Sequence, residues 1–128
     1  MRLLFDTHAF IWWDSEPGRL SDRALTLCQD PRNDLTLSTA SLWEIQIKLQ
    51  IGKITLKTPL AELVREQQES NHLEILSVSA HHIYELGALP PLHKDPFDRM
   101  LVAQAKAEEL HIMSHDTMIK KYPVNVEW

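Results

Sequence analysis

Asp6, Glu44, Asp98 and Asp116 are the residues of this sequence best placed to do chemistry together. Asp6 closes the short apolar run Leu3-Leu4-Phe5, and Asp116 follows the apolar pair Ile112-Met113. Glu44 falls in the first turns of a helical stretch after Asp34-Leu35-Thr36-Leu37-Ser38, and Asp98 lies one turn inside a helix that starts at Asp95. Carboxylates gathered in one place repel and raise one another's pKa unless a cation sits among them, so such a set implies a divalent metal. Oxygen-only ligands select hard ions, which makes Mg²⁺ or Mn²⁺ the expected occupant and leaves positions open for water and for a phosphate oxygen. An ion held this way lowers the pKa of its water and offsets charge developing on phosphate, the chemistry of phosphodiester hydrolysis.

Each acid also has a purely structural use. Asp95 followed by Pro96 is a good N-cap with proline in the first helical position, and Asp98 then favours the positive end of the same helix. Ser41-Leu42-Trp43-Glu44 has the form of a capping box. Asp6-Thr7 and Asp116-Thr117 read equally well as caps of whatever helix follows. What separates the chemical reading from these is that all of the acids fall on one edge of the fold.

That edge follows from the order of elements. Leu3-Leu4-Phe5 has the continuous apolar character of a central strand covered on both faces, and Thr7–Trp13 reads as a helix stopped by Asp14-Ser15-Glu16-Pro17-Gly18. Ser21-Asp22 caps a helix running to about Gln29, where Cys28 reads as a small core residue. Asp34–Ser38 alternates as a second strand, and the helix after it, with Leu42, Ile45 and Leu49 on one face, ends near Gly52. A helix is expected from Pro59 to about Ser70, a strand over Leu73–Val78, and a short helix over His81–Leu86. Gly87–His93 is a proline-stiffened loop, and Phe97, Met100, Leu101 and Ala105 form the apolar stripe of the helix that follows Asp95. Ile112-Met113 is a short strand, Asp116 opens a small helix, and Val124–Val126 is the last strand. Strand and helix alternating in this way predict an α/β fold, a parallel sheet with helices on both faces, whose ligand crevice lies beyond the carboxyl ends of the strands.

Composition bounds the rest. A chain of 128 residues with 44% hydrophobic residues forms one domain with a real core, residues 1–128. Its net charge of -5 argues against a broad cationic face for duplex nucleic acid, so any nucleic-acid chemistry must be local. No stretch has the length and apolarity of a membrane span. The opening Met1-Arg2-Leu3-Leu4-Phe5-Asp6 lacks the apolar run of a secretory signal, and a single cysteine forms no internal disulfide. The expectation is a cytoplasmic protein.

The segments Leu3-Leu4-Phe5-Asp6-Thr7-His8, Ser41-Leu42-Trp43-Glu44-Ile45, His93-Lys94-Asp95-Pro96-Phe97-Asp98-Arg99-Met100-Leu101-Val102-Ala103-Gln104-Ala105 and Ser114-His115-Asp116 come in an order that resembles the PIN-domain family. The likeness is greatest to the short bacterial PIN proteins of the VapC toxin kind. It implies a parallel sheet of about five strands between helices, and Mg²⁺- or Mn²⁺-dependent endonucleolytic cleavage of RNA. By the same resemblance Asp6, Glu44, Asp98 and Asp116 occupy the family's acidic positions, and Asp98 matches better than Asp95. Ser114 matches a small hydroxyl position that supports the site, with Thr7 in a similar part. Homodimers and a cognate antitoxin whose C-terminal segment covers the active groove are also implied. His115 departs from the family, which often has Arg or another residue there, and its contribution stays open.

On this reading Asp6, Asp98 and Asp116 hold the ion, while Glu44 joins them or orients the attacking water; one ion or two remain open. Arg99, Lys94 and Lys48 are candidates to guide phosphate, against the alternative of solvated charge on helix faces. Trp43 is set either to stack a base or to pack in the core, and one of Trp12 and Trp13 is expected at a dimer or antitoxin surface. His8, His93, His111 and His115 show no compact zinc-ligand spacing and are expected on the surface or behind the site. Two rival readings are a Mg²⁺-binding phospho-accepting signalling domain and a non-catalytic PIN-like binding module. The first expects an acidic pair after strand one and a lysine ending the last strand, whereas Thr7-His8 follows Asp6 and Glu127 follows Val126.

Overall fold

The computed structural model of the chain describes all 128 residues. Strands β1 (Arg2–Phe5), β2 (Asp34–Ser38), β3 (Glu74–Leu76), β4 (His111–Met113) and β5 (Val126–Glu127) form one sheet in the order β3-β2-β1-β4-β5. Every pairing is parallel, with Leu4 opposite Thr36 on one side and Ile112 on the other. The α/β architecture expected from the alternating pattern is therefore the one found.

Helices fill the crossovers: α1 (Thr7–Ser15) and α2 (Asp22–Gln29) after β1, α3 (Thr39–Gln50) and α4 (Leu60–Asn71) after β2, α5 (Ala80–Leu86) and α6 (Pro96–Glu108) after β3. Alternate residues of a strand point to opposite faces, and β1 divides the core on that rule. Leu3 and Phe5 join Ala9, Phe10, Ala24, Cys28, Ile45 and Leu63 in one cluster, while Leu4 joins Leu101, Val102, Ala105 and Ile112 in another. A strand buried on both faces explains why its sequence is continuously apolar.

The chain leaves β1 toward β2 and β3, then returns across β1 to β4 and β5. The strand order reverses between β1 and β4, so the crevice of the sheet opens at their carboxyl ends. Asp6 follows β1 there, and Ser114 and Asp116 follow β4.

Several boundaries differ from expectation for local reasons. The cap of α3 is Ser38, whose hydroxyl accepts from Ala40 N, so the Ser41–Glu44 capping box does not form. Ser41 and Glu44 are thereby free to meet Thr7 at the start of α1. Beyond Ile51, Gly52 takes φ 73°, a left-handed conformation glycine adopts without a Cβ penalty, and the helix stops. Pro59 sits one place ahead of α4, and β3 is shorter than the Leu73–Val78 run. Asp116 opens a turn rather than a helix, with a 3₁₀ turn following only at Ile119–Lys121, and the last strand lies two residues later than Val124. The segments on either side of that 3₁₀ turn are too short and polar for periodicity to place them.

Candidate active site

All four acids named from the sequence line one pocket of about 380 Å³, together with Asp95, His8, Trp12, Lys48, His93 and His115. Asp6 arrives as the N-cap of α1, its Oδ1 accepting from Ala9 N at 2.7 Å. The capping reading of this residue is therefore right, and it leaves the second carboxylate oxygen available to the pocket. Oδ2 accepts from the buried hydroxyl of Ser114 at 2.5 Å, and Ser114 Oγ in turn accepts from Asp116 N at 3.0 Å. Ser114 thus fixes the Asp6 carboxylate and the Asp116 backbone to one atom.

Glu44 is held from α3. Its Oε1 accepts from Thr7 Oγ1 at 2.6 Å, with Ser41 Oγ 3.1 Å from the same Thr7 hydroxyl, and its Oε2 accepts from Lys48 Nζ at 2.8 Å. Thr7 and Ser41 are buried, so the supporting part expected of Thr7 has a definite partner, and Ser41 joins it. Lys48, one turn beyond Glu44, is the one lysine lining the pocket.

Asp98 comes from the first turn of α6. Asp95 caps this helix, its Oδ1 accepting from Phe97 N at 2.8 Å and Asp98 N at 3.1 Å, with Pro96 in the first helical position. The cap places Asp95 beside Asp98, which adds to the negative charge there. Burial, then the charges of Asp95, Asp6 and Glu44, push the Asp98 carboxyl up to about 7, with His93 opposing. Asp6 is also raised above the ordinary carboxylate range, chiefly by burial, against the hydrogen bond from Ser114. A carboxyl raised this far by burial and by neighbouring acids is in a setting that a bound cation would relieve.

His93 completes this wall, and sequence reasoning had grouped it with the surface and supporting histidines. Its Nε2 lies 2.9 Å from Asp98 Oδ2 and 3.5 Å from Asp116 Oδ2, in a direction that makes no hydrogen bond, so a buried nitrogen is left without a partner. Its Nδ1 accepts from Asp95 N at 3.3 Å. His93, Asp98 and Asp116 each offer an atom within 4.8 Å of the others. No spacing to another histidine marks it, and its place in the site rests on contacts between distant segments, such as that of its backbone N with Tyr122 Oη. The carboxylate oxygens fit a divalent cation; with Nδ1 accepting from Asp95 N, the ring proton of His93 sits on Nε2, which faces the acids as a donor rather than as a ligand.

Arg99 does not face the pocket. Its guanidinium donates to Pro90 O and to Tyr122 Oη, both at 3.0 Å, and Tyr122 Oη accepts from His93 N at 2.8 Å. One position beyond Asp98, it is turned by about 100° around the helix, so its charge braces the loop carrying His93 instead of guiding phosphate. Lys94 is exposed and lies outside the pocket lining. Trp43 is 65% exposed with its ring edge-on to Phe97 at 5.3 Å, which removes the core-packing reading but leaves it outside the pocket. Trp13 stacks on Phe5 at 4.9 Å, whereas Trp12 reaches the pocket rim and meets Trp128. His111 pairs with Glu127 on the far side of β4.

A family model described as PIN domain matches residues 3–125. The chain is 25% identical over 121 residues to Ribonuclease VapC22 of Mycobacterium tuberculosis, covering 94% of this chain and 91% of that one. Among solved structures it is similar to that of VapBC2 from Rickettsia felis bound to a DNA fragment from their promoter, with TM-score 0.72 and 20% identity over 99% of this chain and 98% of the other. It is also similar to FitAcB from Neisseria gonorrhoeae, with TM-score 0.63 and 18% identity over 97% of this chain and 95% of the other.

Proposed function

This chain belongs to the PIN-domain family, and from that premise we propose that it is a divalent-metal-dependent endoribonuclease, a VapC-like toxin that a cognate antitoxin inhibits. The observation that carries the reading is the convergence of Asp6, Glu44, Asp98 and Asp116 in one pocket at the point where the strand order reverses. Such a cluster serves no folding purpose by itself, since burial and mutual repulsion lift Asp98 to about 7. The likeness to a relative named as a ribonuclease, and to VapBC, supports RNA as substrate and an antitoxin as partner.

Asp6, Asp98 and Asp116 are the residues that would hold Mg²⁺ or Mn²⁺, with His93 Nε2 facing the same space. When bound, the ion supplies an activated water and offsets charge developing on the phosphodiester. Glu44 is oriented by Thr7 and Lys48 through its two oxygens, each of which keeps a lone pair free to accept from water. Ser114 holds Asp6 against rotation, and Lys48 brings a positive charge to the phosphate side of the pocket. The protein acts as a homodimer in this reading. It works in the cytoplasm; no helix of the structure is long and apolar enough to cross a membrane.

The test is cleavage of single-stranded RNA by purified protein in Mn²⁺. The parent cleaves, excess EDTA stops it, and an Asp98→Asn variant with unchanged circular dichroism is slower by at least about a hundredfold, since even partners behind a metal's ligands cost tenfold or more. A folded Asp98→Asn protein that cleaves at the parent's rate, or cleavage that survives EDTA, contradicts the assignment.

A further inference from the structure

Between Ser114 and Asp116, two residues that build the pocket, His115 points outward and is exposed. Its imidazole lies on the indole of Trp128, with ring centroids 5.3 Å apart and planes 19° from parallel. Trp128 meets Trp12 edge-on at 6.0 Å, and the guanidinium of Arg19 sits 4.4 Å over the Trp12 ring. His115 and Trp12 both line the acid pocket. A stack of two rings, braced from behind by a third, therefore stands at the rim of the carboxylate cluster.

Resting on the ribonuclease reading, we propose that His115, supported by Trp128, is the platform on which an unpaired RNA base stacks beside the scissile phosphate. Charge is the first reason. The chain carries -5 overall and its pocket is lined by acids with Lys48 as the one lysine, so phosphate contacts contribute little to holding a polyanion there. Binding must then come from surfaces indifferent to charge, and a flat ring offered to a base is such a surface. Geometry is the second. One face of His115 is covered by Trp128, which fixes the ring plane, and the residue's exposure leaves the ring free to add a third member to the stack. A base within a duplex has both faces occupied by its neighbours, so the platform selects single-stranded RNA or a loop.

His115 is a substrate-positioning residue in this account, adjacent in sequence to Asp116 but with no part in holding the ion. Its orientation ties the register of the strand to the acids, because the same backbone segment carries the platform and two site residues. Arg19, stacked over Trp12 and 3.7 Å from Glu16, braces the indole that backs Trp128.

The experiment uses the full chain in EDTA, where no cleavage occurs, and a single-stranded RNA oligonucleotide carrying 2-aminopurine, whose fluorescence drops when it stacks. The parent quenches the probe on binding; His115→Ala weakens binding by about tenfold and abolishes the quenching, in the range expected for one lost base stack. His115→Phe, which keeps a flat ring, restores both, and Trp128→Ala lies between parent and His115→Ala. In Mn²⁺ the His115→Ala change raises KM more than it lowers kcat. Equal binding by parent and His115→Ala, failure of His115→Phe to rescue, or equal affinity of the parent for duplex RNA overturns the proposal. A parent that binds and quenches but does not cleave in Mn²⁺ contradicts the nuclease reading instead, which keeps the two failures apart.

Discussion

Asp6 and Ser114, separated by 108 positions in sequence, are joined by a hydroxyl-to-carboxylate hydrogen bond across the ends of the two central strands. The bond is made possible by the parallel register that sets Phe5 opposite Met113, so that the next residue of each strand leaves the sheet at the same level. It leaves one oxygen of Asp6 capping α1 and steers the other into the pocket. Loss of the hydroxyl frees the carboxylate to rotate. Ser114→Ala is expected to lower the Mn²⁺-dependent cleavage rate by about 10- to 100-fold, the range typical of partners that orient a metal ligand. Kinetics beside a thermal melt check this, and an unchanged rate removes Ser114 from the site.

Thr7 makes the corresponding contact on the other side, donating to Glu44. Thr7→Val keeps the shape and removes the donor, leaving a buried carboxylate oxygen short of a partner. Stability should fall by about 1–3 kcal/mol, read from urea unfolding in EDTA, and the cleavage rate should fall with it at saturating RNA. Thr7→Ser, which keeps the hydroxyl, should recover most of the rate.

The raised pKa of Asp98 gives the metal-free protein a stability that declines with pH. Between the ordinary value of 3.8 and about 7 the folded chain holds a proton on Asp98 that the unfolded chain has released. Folding is therefore weakened as pH rises through that window, by at most about 4 kcal/mol for this group. Asp6, raised in the same direction, adds to the trend. Asp98→Asn should flatten the dependence and melt several degrees higher than the parent at pH 8 in EDTA. Melting curves from pH 4 to pH 8 decide it, and a parent that gains stability across this range contradicts the assignment.

Tyr122 and Arg99 brace the loop that carries His93. Tyr122→Phe removes the shared acceptor of the His93 N–H and the Arg99 guanidinium, and Tyr122 itself is buried. The expected cost is about 1–3 kcal/mol, again from unfolding curves. Arg99→Ala should likewise lower the melting temperature, with no added loss of RNA affinity in EDTA such as a phosphate-guiding residue would show.

The sequence made the architecture legible wherever an element carried its own punctuation. Leu3-Leu4-Phe5 read as a central strand because both of its faces are covered, and Asp95-Pro96 announced the start of α6 through two independent preferences. The four acids were visible through their positions at strand ends and helix starts, and the ordered resemblance singled out the same residues. What stayed hidden depends on contacts between distant segments. Ser38, rather than Ser41, caps α3 because β2 delivers the chain to the helix one turn earlier than the capping pattern implies. His93 enters the site only because Tyr122 and Arg99 fold its loop back over α6, and nothing local to His93 records that. The direction of Arg99 is set the same way, so the sequence left it a candidate for guiding phosphate. The stack of His115 on Trp128 joins two segments whose order in the sheet periodicity could not supply.

Calorimetric titration of Mn²⁺ into the folded, metal-free protein at neutral pH bears most directly on whether this pocket is a metal site. Saturable uptake is expected, accompanied by proton release as Asp98 ionises, and weakened by at least about tenfold in Asp98→Asn. A well-folded parent that takes up no manganese, or an Asp98→Asn protein with the same isotherm, would contradict the account.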